Sequence, residues 1–111
     1  MKKPFEVRRV ETGSYAGVEN RMLIGAAQSA PVAVVEMVLP GGARIGPERH
    51  PEAETVVPFG PLTLVAGGKA QLLHLGDAVD IAGHVEHELL NAGADPVRIL
   101  SIATPAWGAS G

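Results

Sequence analysis

Short apolar runs separated by glycine- and proline-containing turns form the dominant pattern of this chain. Turn signals such as 40–42, 46–47, 60–61 and 67–68 recur about every 8–12 residues, which is typical of all-β sandwiches and barrels. The apolar runs are short and mostly rich in β-branched side chains, which favours strands. The pattern predicts strands at 32–39, 62–66, 69–75 and 97–104.

The last of these runs shows the alternation of a strand with two distinct faces. Val97, Ile99 and Ser101 lie on one side, and the residues between them lie on the other. Residues 5–10 also alternate apolar and charged side chains. We therefore expect additional N-terminal strands within about 5–25.

Residues 82–90 are open to two interpretations. A helix would place His84 beside His87 and Glu88, at spacings of three and four residues. Such a helix would span barely two turns between Gly83 and Asn91, and a helix of that length is marginal by itself. A loop followed by a strand is the preferred prediction.

Composition indicates a single globular domain and excludes several classes of function. Its 111 residues, 46% hydrophobic and 19% charged, suit one globular domain spanning 1–111. The formal net charge is −3 and basic residues do not cluster with aromatic ones, so no nucleic acid partner is expected. There are no cysteines, which excludes disulfides, thiolate metal ligands and cysteine nucleophiles.

No targeting or membrane segment is predicted. Charged residues follow the N-terminal lysines at once, unlike the apolar stretch of a signal peptide. The longest apolar segment, 30–35, falls far short of the ~20 residues that a membrane-spanning helix needs. We expect a soluble protein without a membrane partner, cytoplasmic by default.

Two separated polar clusters carry the candidate chemistry. The first, 48–54, contains Glu48, His50 and Glu54, and the second, 84–87, contains His84 and His87. Imidazoles and carboxylates from distant segments are the donors that hold a divalent metal in proteins. Other catalytic patterns, including phosphate loops, nucleophile elbows and dinucleotide-binding turns, are not found in the sequence.

The first cluster resembles the first motif of the cupin family. That motif reads glycine, five residues, His-x-His, three or four residues, Glu, and then about six residues to a glycine. This chain has Gly42, five residues, Glu48-x-His50, three residues and Glu54, with Gly60 after five more. A glutamate replaces the first histidine.

The second cluster resembles the second cupin motif, which reads glycine, five residues, Pro-x-Gly, two residues, His, three residues, Asn. Gly76, His87 and Asn91 match, whereas Ala82 and His84 stand in place of proline and glycine. The likeness extends over roughly 32–104, which is most of the chain.

The resemblance implies a small single-domain cupin of the RmlC-like superfamily. Its fold would be an all-β jelly-roll barrel, or double-stranded β-helix, of two antiparallel sheets. The barrel would span about 32–104, and cupins commonly form homodimers in which N-terminal strands pack across or pair with the partner. The alternating stretch 5–10 suits such a role. Pro58 interrupts the strand expected after Glu54, so that strand is expected to be kinked or at an edge.

Carried over residue by residue, the cupin metal positions are Glu48, His50, Glu54 and His87. Alternation would point Glu48 and His50 into the barrel from one strand, with Glu54 and His87 arriving from two others. Two carboxylates favour manganese or iron, with zinc or nickel also compatible and copper less favoured. The alternative interpretation is solvated glutamates and a surface His50, in a cupin that has lost its metal.

The remaining polar residues are assigned more simply. His84 is a candidate catalytic residue that would transfer protons at the barrel mouth, although an exposed loop position is the commoner outcome for such a histidine. His74 is expected on the surface, and Glu52, Asp80, Glu86 and Glu88 are expected to be solvated. Met37, Phe59 and Trp107 serve either as pocket walls or as core.

Two functions follow from this reading. The first is a metal-dependent enzyme acting on an oxygen-bearing small organic molecule, with dioxygenase, isomerase, cyclase or lyase chemistry left open. The second is a non-catalytic barrel that binds a sugar or another metabolite and carries a degraded metal site. The sequence does not select the substrate, the reaction or the ion.

Overall fold

The computed structural model of the chain describes residues 4–107 and contains an almost purely β structure. A single 3-10 turn, Ala26–Gln28, is the one helical element within these residues, and no helix there has the length and hydropathy needed to cross a membrane. The strands in chain order are β1 (Gly13–Tyr15), β2 (Val18–Ile24), β3 (Ala33–Leu39), β4 (Arg44–Glu48), β5 (Ala53–Pro58), β6 (Leu62–Ala66), β7 (Lys69–Leu73), β8 (Val79–Ile81), β9 (His87–Leu90) and β10 (Val97–Thr104).

The strands form two antiparallel sheets. The larger sheet has the order β1-β2-β3-β10-β5-β8, and the smaller has the order β4-β9-β6-β7. Strands β3 and β10 pair over seven residues, from Leu39 opposite Val97 to Ala33 opposite Ala103. The predicted all-β architecture of two antiparallel sheets is therefore confirmed.

The core lies between the two sheets and follows from strand alternation. In β3 and β10 every second residue is buried, so one face of each strand packs inward. The smaller sheet supplies a matching apolar face. The core side chains include Val35, Met37, Leu39, Val56 and Ile99 from the larger sheet and Ile45, Leu62, Leu64, Leu73 and Leu89 from the smaller one.

The four strands predicted from apolar runs are found at nearly the predicted positions. Strands β6 and β10 have the predicted bounds, β3 begins one residue later, and β7 ends at Leu73. Residues 82–86 form a loop that leads into β9, so the preferred prediction of a loop and a strand is confirmed over the helix. The N-terminal strands lie at 13–15 and 18–24, whereas residues 5–12 carry no strand.

The sequence predicted that Pro58 kinks its strand or places it at a sheet edge, and the edge position is not found. Strand β5 lies between β10 and β8. Pro58 is its last residue and pairs with Ile99 of β10, while the pairing with β8 covers Glu54 to Val56. The proline is tolerated because no β8 residue faces it across the ladder.

A bulge in the smaller sheet adjusts the approach to the first polar cluster. The register between β4 and β9 shifts between Ile45 and Glu48, which brings Glu48 opposite His87. Gly46 lies within this bulge at φ 102°, and a Cβ there would lie 2.7 Å from the carbonyl oxygen of His87. Because glycine has no Cβ, it adopts this positive φ and allows the close approach of the His87 carbonyl without a steric clash.

Candidate metal centre

Three predicted ligands converge from three different segments. His50 lies in the loop between β4 and β5, Glu54 is the second residue of β5, and His87 is the first residue of β9. One donor atom from each of these side chains lies within 4.8 Å of the other two. The prediction had His50 on the same strand as Glu48, but β4 ends at Glu48. Pro51 follows His50, and a proline cannot donate to the β-ladder.

The two imidazoles are oriented in the same way. The Nδ1 atom of His50 lies 2.9 Å from the backbone carbonyl of Glu52, and the Nδ1 atom of His87 lies 2.9 Å from that of Val85. A carbonyl oxygen only accepts hydrogen bonds, so each Nδ1 carries a proton. In its neutral form each ring then presents the lone pair of its Nε2, as metal-binding histidines typically do.

These lone pairs point at a carboxylate. The Nε2 atoms of His87 and His50 lie 3.1 Å and 3.4 Å from the same oxygen of Glu54, its Oε1. With neutral rings, three acceptor atoms face one another in a buried space, which is unfavourable unless a proton or a cation lies between them. A divalent cation fits this donor set, because two imidazole nitrogens and a carboxylate oxygen are ligands for zinc, iron and manganese.

Ser101 fixes the remaining oxygen of the central carboxylate. Its hydroxyl donates a short hydrogen bond to Glu54 Oε2, and both residues are buried. The inward-facing position of Ser101 on β10 confirms the alternation predicted for that strand. Oε1 is thereby left to face the two imidazoles, as expected for a carboxylate oriented by an outer partner.

The fourth predicted ligand, Glu48, is not part of the three-donor group. Its Oε2 accepts a hydrogen bond of 2.5 Å from the Tyr15 hydroxyl. This hydrogen bond, together with partial burial and the negative charges of Glu48 and Glu54, raises the pKa of Tyr15 above its ordinary value. The phenol therefore keeps its proton at neutral pH.

The three donors lie in a cavity of about 520 Å³ between the sheets. One part of its lining is apolar, contributed by Met22, Val35, Met37, Ile45, Leu89 and Trp107. The other part carries the carboxylates, both histidines and Arg49. The Trp107 ring packs edge-on against His50 at a centroid distance of 4.7 Å. Met37 and Trp107 thus form pocket walls, whereas Phe59 is 46% exposed.

Glu52 is buried, contrary to the prediction that it is solvated. The residue is 7% exposed, lines the same cavity, and places its carboxylate 3.8 Å from Nδ1 of His50. The loop 82–84 packs over this segment: the His84 amide donates to the His50 carbonyl, and a Cβ on Gly83 would lie 2.3 Å from the carbonyl oxygen of Pro51. This long-range packing buries Glu52 and is not visible in the local sequence.

His84 lies outside the lining of this cavity. It is exposed and borders a second groove, which shares Arg49 and His87 with the cavity. Its φ of 67° is in the left-handed region, where glycine is the least strained residue. The role of His84 in proton transfer remains a prediction.

We expect His84→Gly to raise the free energy of unfolding by about 0.5 kcal/mol relative to His84→Ala, because glycine removes the Cβ from a left-handed position. Both variants should bind Mn²⁺ within about twofold of the wild type, since the His84 side chain is not among the donors. Urea denaturation and isothermal titration calorimetry measure the two quantities. A loss of Mn²⁺ affinity in both variants would place the imidazole in the site.

Two residues near the metal group were not predicted to have a role there. The sequence assigned Ser101 only to one face of its strand, although a polar residue on the inner face of an apolar strand was a usable signal. Tyr15 had no such signal, because β1 is short and exposed throughout. Its place over the cavity depends on the pairing of β1 with β2 and of β2 with β3.

Comparisons with known proteins agree with the fold that carries this site. A family model described as Cupin domain matches residues 34–103. A predicted oxalate decarboxylase from Thermotoga maritima superposes with a TM-score of 0.75 at 23% identity, over 86% of this chain and 91% of that chain. A Cupin 2 conserved barrel domain protein from Salinispora arenicola CNS-205 superposes with a TM-score of 0.80 at 20% identity, over 97% and 92%.

A third solved structure is the polyketide cyclase RemF from Streptomyces resistomycificus, with a TM-score of 0.76 at 18% identity over 94% of this chain and 80% of that chain. No curated protein matches the sequence. At these identities the structural likenesses concern the fold.

Proposed function

This chain belongs to the cupin domain family, and on that premise we propose that it is a metal-dependent enzyme acting on an oxygen-bearing small organic molecule. The observation that carries the proposal is the convergence of His50, Glu54 and His87 on one point within a largely apolar cavity. Cavities of this kind, apolar with a few convergent polar groups, are the usual sites of small-molecule binding.

The proposed ion is manganese or iron in preference to zinc or nickel. Two histidines and one carboxylate with open positions are typical of non-heme iron sites, and carboxylates also suit manganese. When bound, the ion would act as a Lewis acid toward an oxygen of the substrate. The two similar proteins named for oxalate decarboxylation and polyketide cyclisation are compatible with such a role, but they do not select a reaction for this chain.

The chain's own residues would divide the remaining work. The Val85 and Glu52 carbonyls fix the imidazole rings, and Ser101 fixes the Glu54 carboxylate. The apolar side chains of the cavity exclude water and would hold the carbon skeleton of the substrate. Arg49, at the polar part of the lining, offers a cation to a negatively charged substrate group.

The chemistry of the cavity suggests a probe for this proposal. The anion 2-hydroxy-4-methylpentanoate joins two adjacent oxygen donors to a branched apolar tail. We expect it to bind at least about tenfold more tightly to the Mn²⁺-loaded protein than to the metal-free protein, a difference of about 1.4 kcal/mol. The analogue 4-methylpentanoate lacks the hydroxyl and should gain less from the metal. Isothermal titration calorimetry, supported by fluorescence of the single tryptophan, Trp107, measures both.

Equal binding of the probe with and without Mn²⁺ would contradict the metal-dependent function. That result would support the second candidate, a non-catalytic barrel that binds a small ligand. The observation that favours this candidate is the hydrogen bond from Tyr15 that occupies Glu48, one of the four positions at which cupins hold metal.

Assembly and location are also proposals. We propose a homodimer formed through the N-terminal segment, because Phe5 and Val7 are 72% and 76% exposed and belong to a stretch without a strand. Exposed apolar side chains of this kind are available to a partner chain. A cytoplasmic location, and the lack of nucleic acid and membrane partners, remain predictions from the sequence.

A further inference from the structure

Tyr15 connects the edge of the larger sheet to the smaller sheet. It ends β1, which pairs with β2 and is the outermost strand. Its side chain is directed to the cavity, where the hydroxyl donates to Glu48 at the end of β4. This hydrogen bond joins residues 33 positions apart in the sequence.

Glu48 is close to the metal group without belonging to it. Its backbone lies directly opposite that of His87 across the pairing of β4 and β9. Its side chain lines the cavity that also holds His50 and Glu54. One oxygen of its carboxylate is engaged by the phenol, as one oxygen of Glu54 is engaged by Ser101, but unlike Glu54 it has no donor atom in the three-donor group.

We propose that Tyr15 is a positioning residue that withholds Glu48 from the metal. While the hydroxyl holds Glu48, the chain supplies three ligands, namely His50, Glu54 and His87. When that hydrogen bond is broken, Glu48 becomes the fourth ligand. The inference rests on the proposed metal function and adds to it a control over the number of protein ligands.

The location of Tyr15 allows this exchange to occur without damage to the core. Tyr15 is 52% exposed, and every residue of β1 is exposed. Because β1 pairs on one side only, the Tyr15 side chain can move without breaking the hydrogen bonds between central strands. The number of open positions at the metal, and hence the space for a chelating substrate, would depend on this one hydroxyl.

A double-mutant cycle on the full chain tests the inference. The four proteins are the wild type, Tyr15→Phe, Glu48→Gln and the double variant, and the probes are Mn²⁺ for affinity and Co²⁺ for its visible absorption spectrum. Hydrogen bonds to charged groups are among the stronger ones in proteins. We therefore expect Tyr15→Phe to bind Mn²⁺ at least about tenfold more tightly than the wild type.

Glu48→Gln supplies the discriminating arm of the cycle. It should change the Mn²⁺ affinity of the wild type by less than about threefold, yet abolish the tenfold gain in the Tyr15→Phe background. The Co²⁺ spectrum should differ between wild type and Tyr15→Phe and return to the wild-type form in the double variant. Circular dichroism checks that all four proteins are folded.

The outcomes separate this inference from the proposed function. Suppose that the wild type binds Mn²⁺ but Tyr15→Phe binds it no more tightly, or that Glu48→Gln lowers the Mn²⁺ affinity by the same factor in both backgrounds. Either result overturns the role of Tyr15 and leaves the metal function standing. If none of the four proteins binds Mn²⁺ or Co²⁺, both proposals are overturned. Binding by Tyr15→Phe alone would support the withholding of Glu48.

Discussion

Replacing His87 with alanine is expected to lower the affinity for Mn²⁺ by at least about a hundredfold. Loss of a partner that only orients a metal ligand typically costs ten- to hundredfold, and His87 is proposed as a ligand itself. Its Nε2 makes the closest approach to Glu54 Oε1, at 3.1 Å. Glu54→Gln should have an effect of similar size, because it removes the anionic donor to which both imidazoles point.

Matched controls separate metal ligation from a general loss of structure. His74→Ala removes an exposed histidine. Glu88→Gln removes the charge of the residue that follows His87; the Glu88 carboxylate lies 3.4 Å from the Arg44 guanidinium. Both controls should bind Mn²⁺ within about threefold of the wild type. Isothermal titration calorimetry on tag-free protein measures all four affinities. Unchanged binding by His87→Ala and Glu54→Gln would show that the ion is held elsewhere.

Asn91→Ala is expected to produce the largest loss of stability, about 3 kcal/mol, with a fall in Tm of about 13 °C. The side chain is 1% exposed and its amide group donates to the carbonyls of Leu39 and Asp95. Its Oδ1 accepts from the Gly93 amide. Alanine would leave the buried Leu39 carbonyl without this partner, which costs about 1–3 kcal/mol, and would also remove the two part-buried hydrogen bonds to Gly93 and Asp95.

Two further substitutions define the cause of that loss. Asn91→Asp keeps the shape and the acceptor for Gly93 but places an anion against two carbonyl oxygens, so it should be at least as destabilising. Gln71→Ala removes an exposed amide that donates to Leu72 and should cost less than about 0.5 kcal/mol. Chemical denaturation measures all three, and a cost below about 1 kcal/mol for Asn91→Ala would contradict the account.

The strands of the core could be predicted because their pattern is local. The apolar runs of β3 and β10 are bounded by turn signals, so their bounds were predictable, and the alternation in β10 also indicated its inward face. Strand β3 is apolar at every position except Glu36, so its sequence does not distinguish its inward face. The resemblance to cupins added the pairing of distant segments, which alternation cannot supply. The family match and the superposed structures confirm that resemblance.

The site could be predicted only as far as it depends on the local strand pattern and on the resemblance to the cupin motifs. The motifs identified Glu54 and His87, whose strands direct them inward, and His50, which reaches the same point from a loop. They did not reveal that Tyr15 engages Glu48, because β1 is short and exposed throughout. Such contacts depend on long-range packing and leave no local periodicity.

The burial of Glu52 is a second feature that depends on long-range packing. A charged residue between Pro51 and Ala53 indicates a solvated loop by every local rule. It is buried because the loop containing Gly83 and His84 closes over it. The position of that loop is a property of the folded barrel.

The most direct test of the metal centre is an anomalous diffraction measurement on crystals soaked with Mn²⁺. The account predicts one strong anomalous peak per chain, in contact with His50 Nε2, Glu54 Oε1 and His87 Nε2. A peak at other residues, or none at these three atoms when Mn²⁺ is abundant, would contradict it.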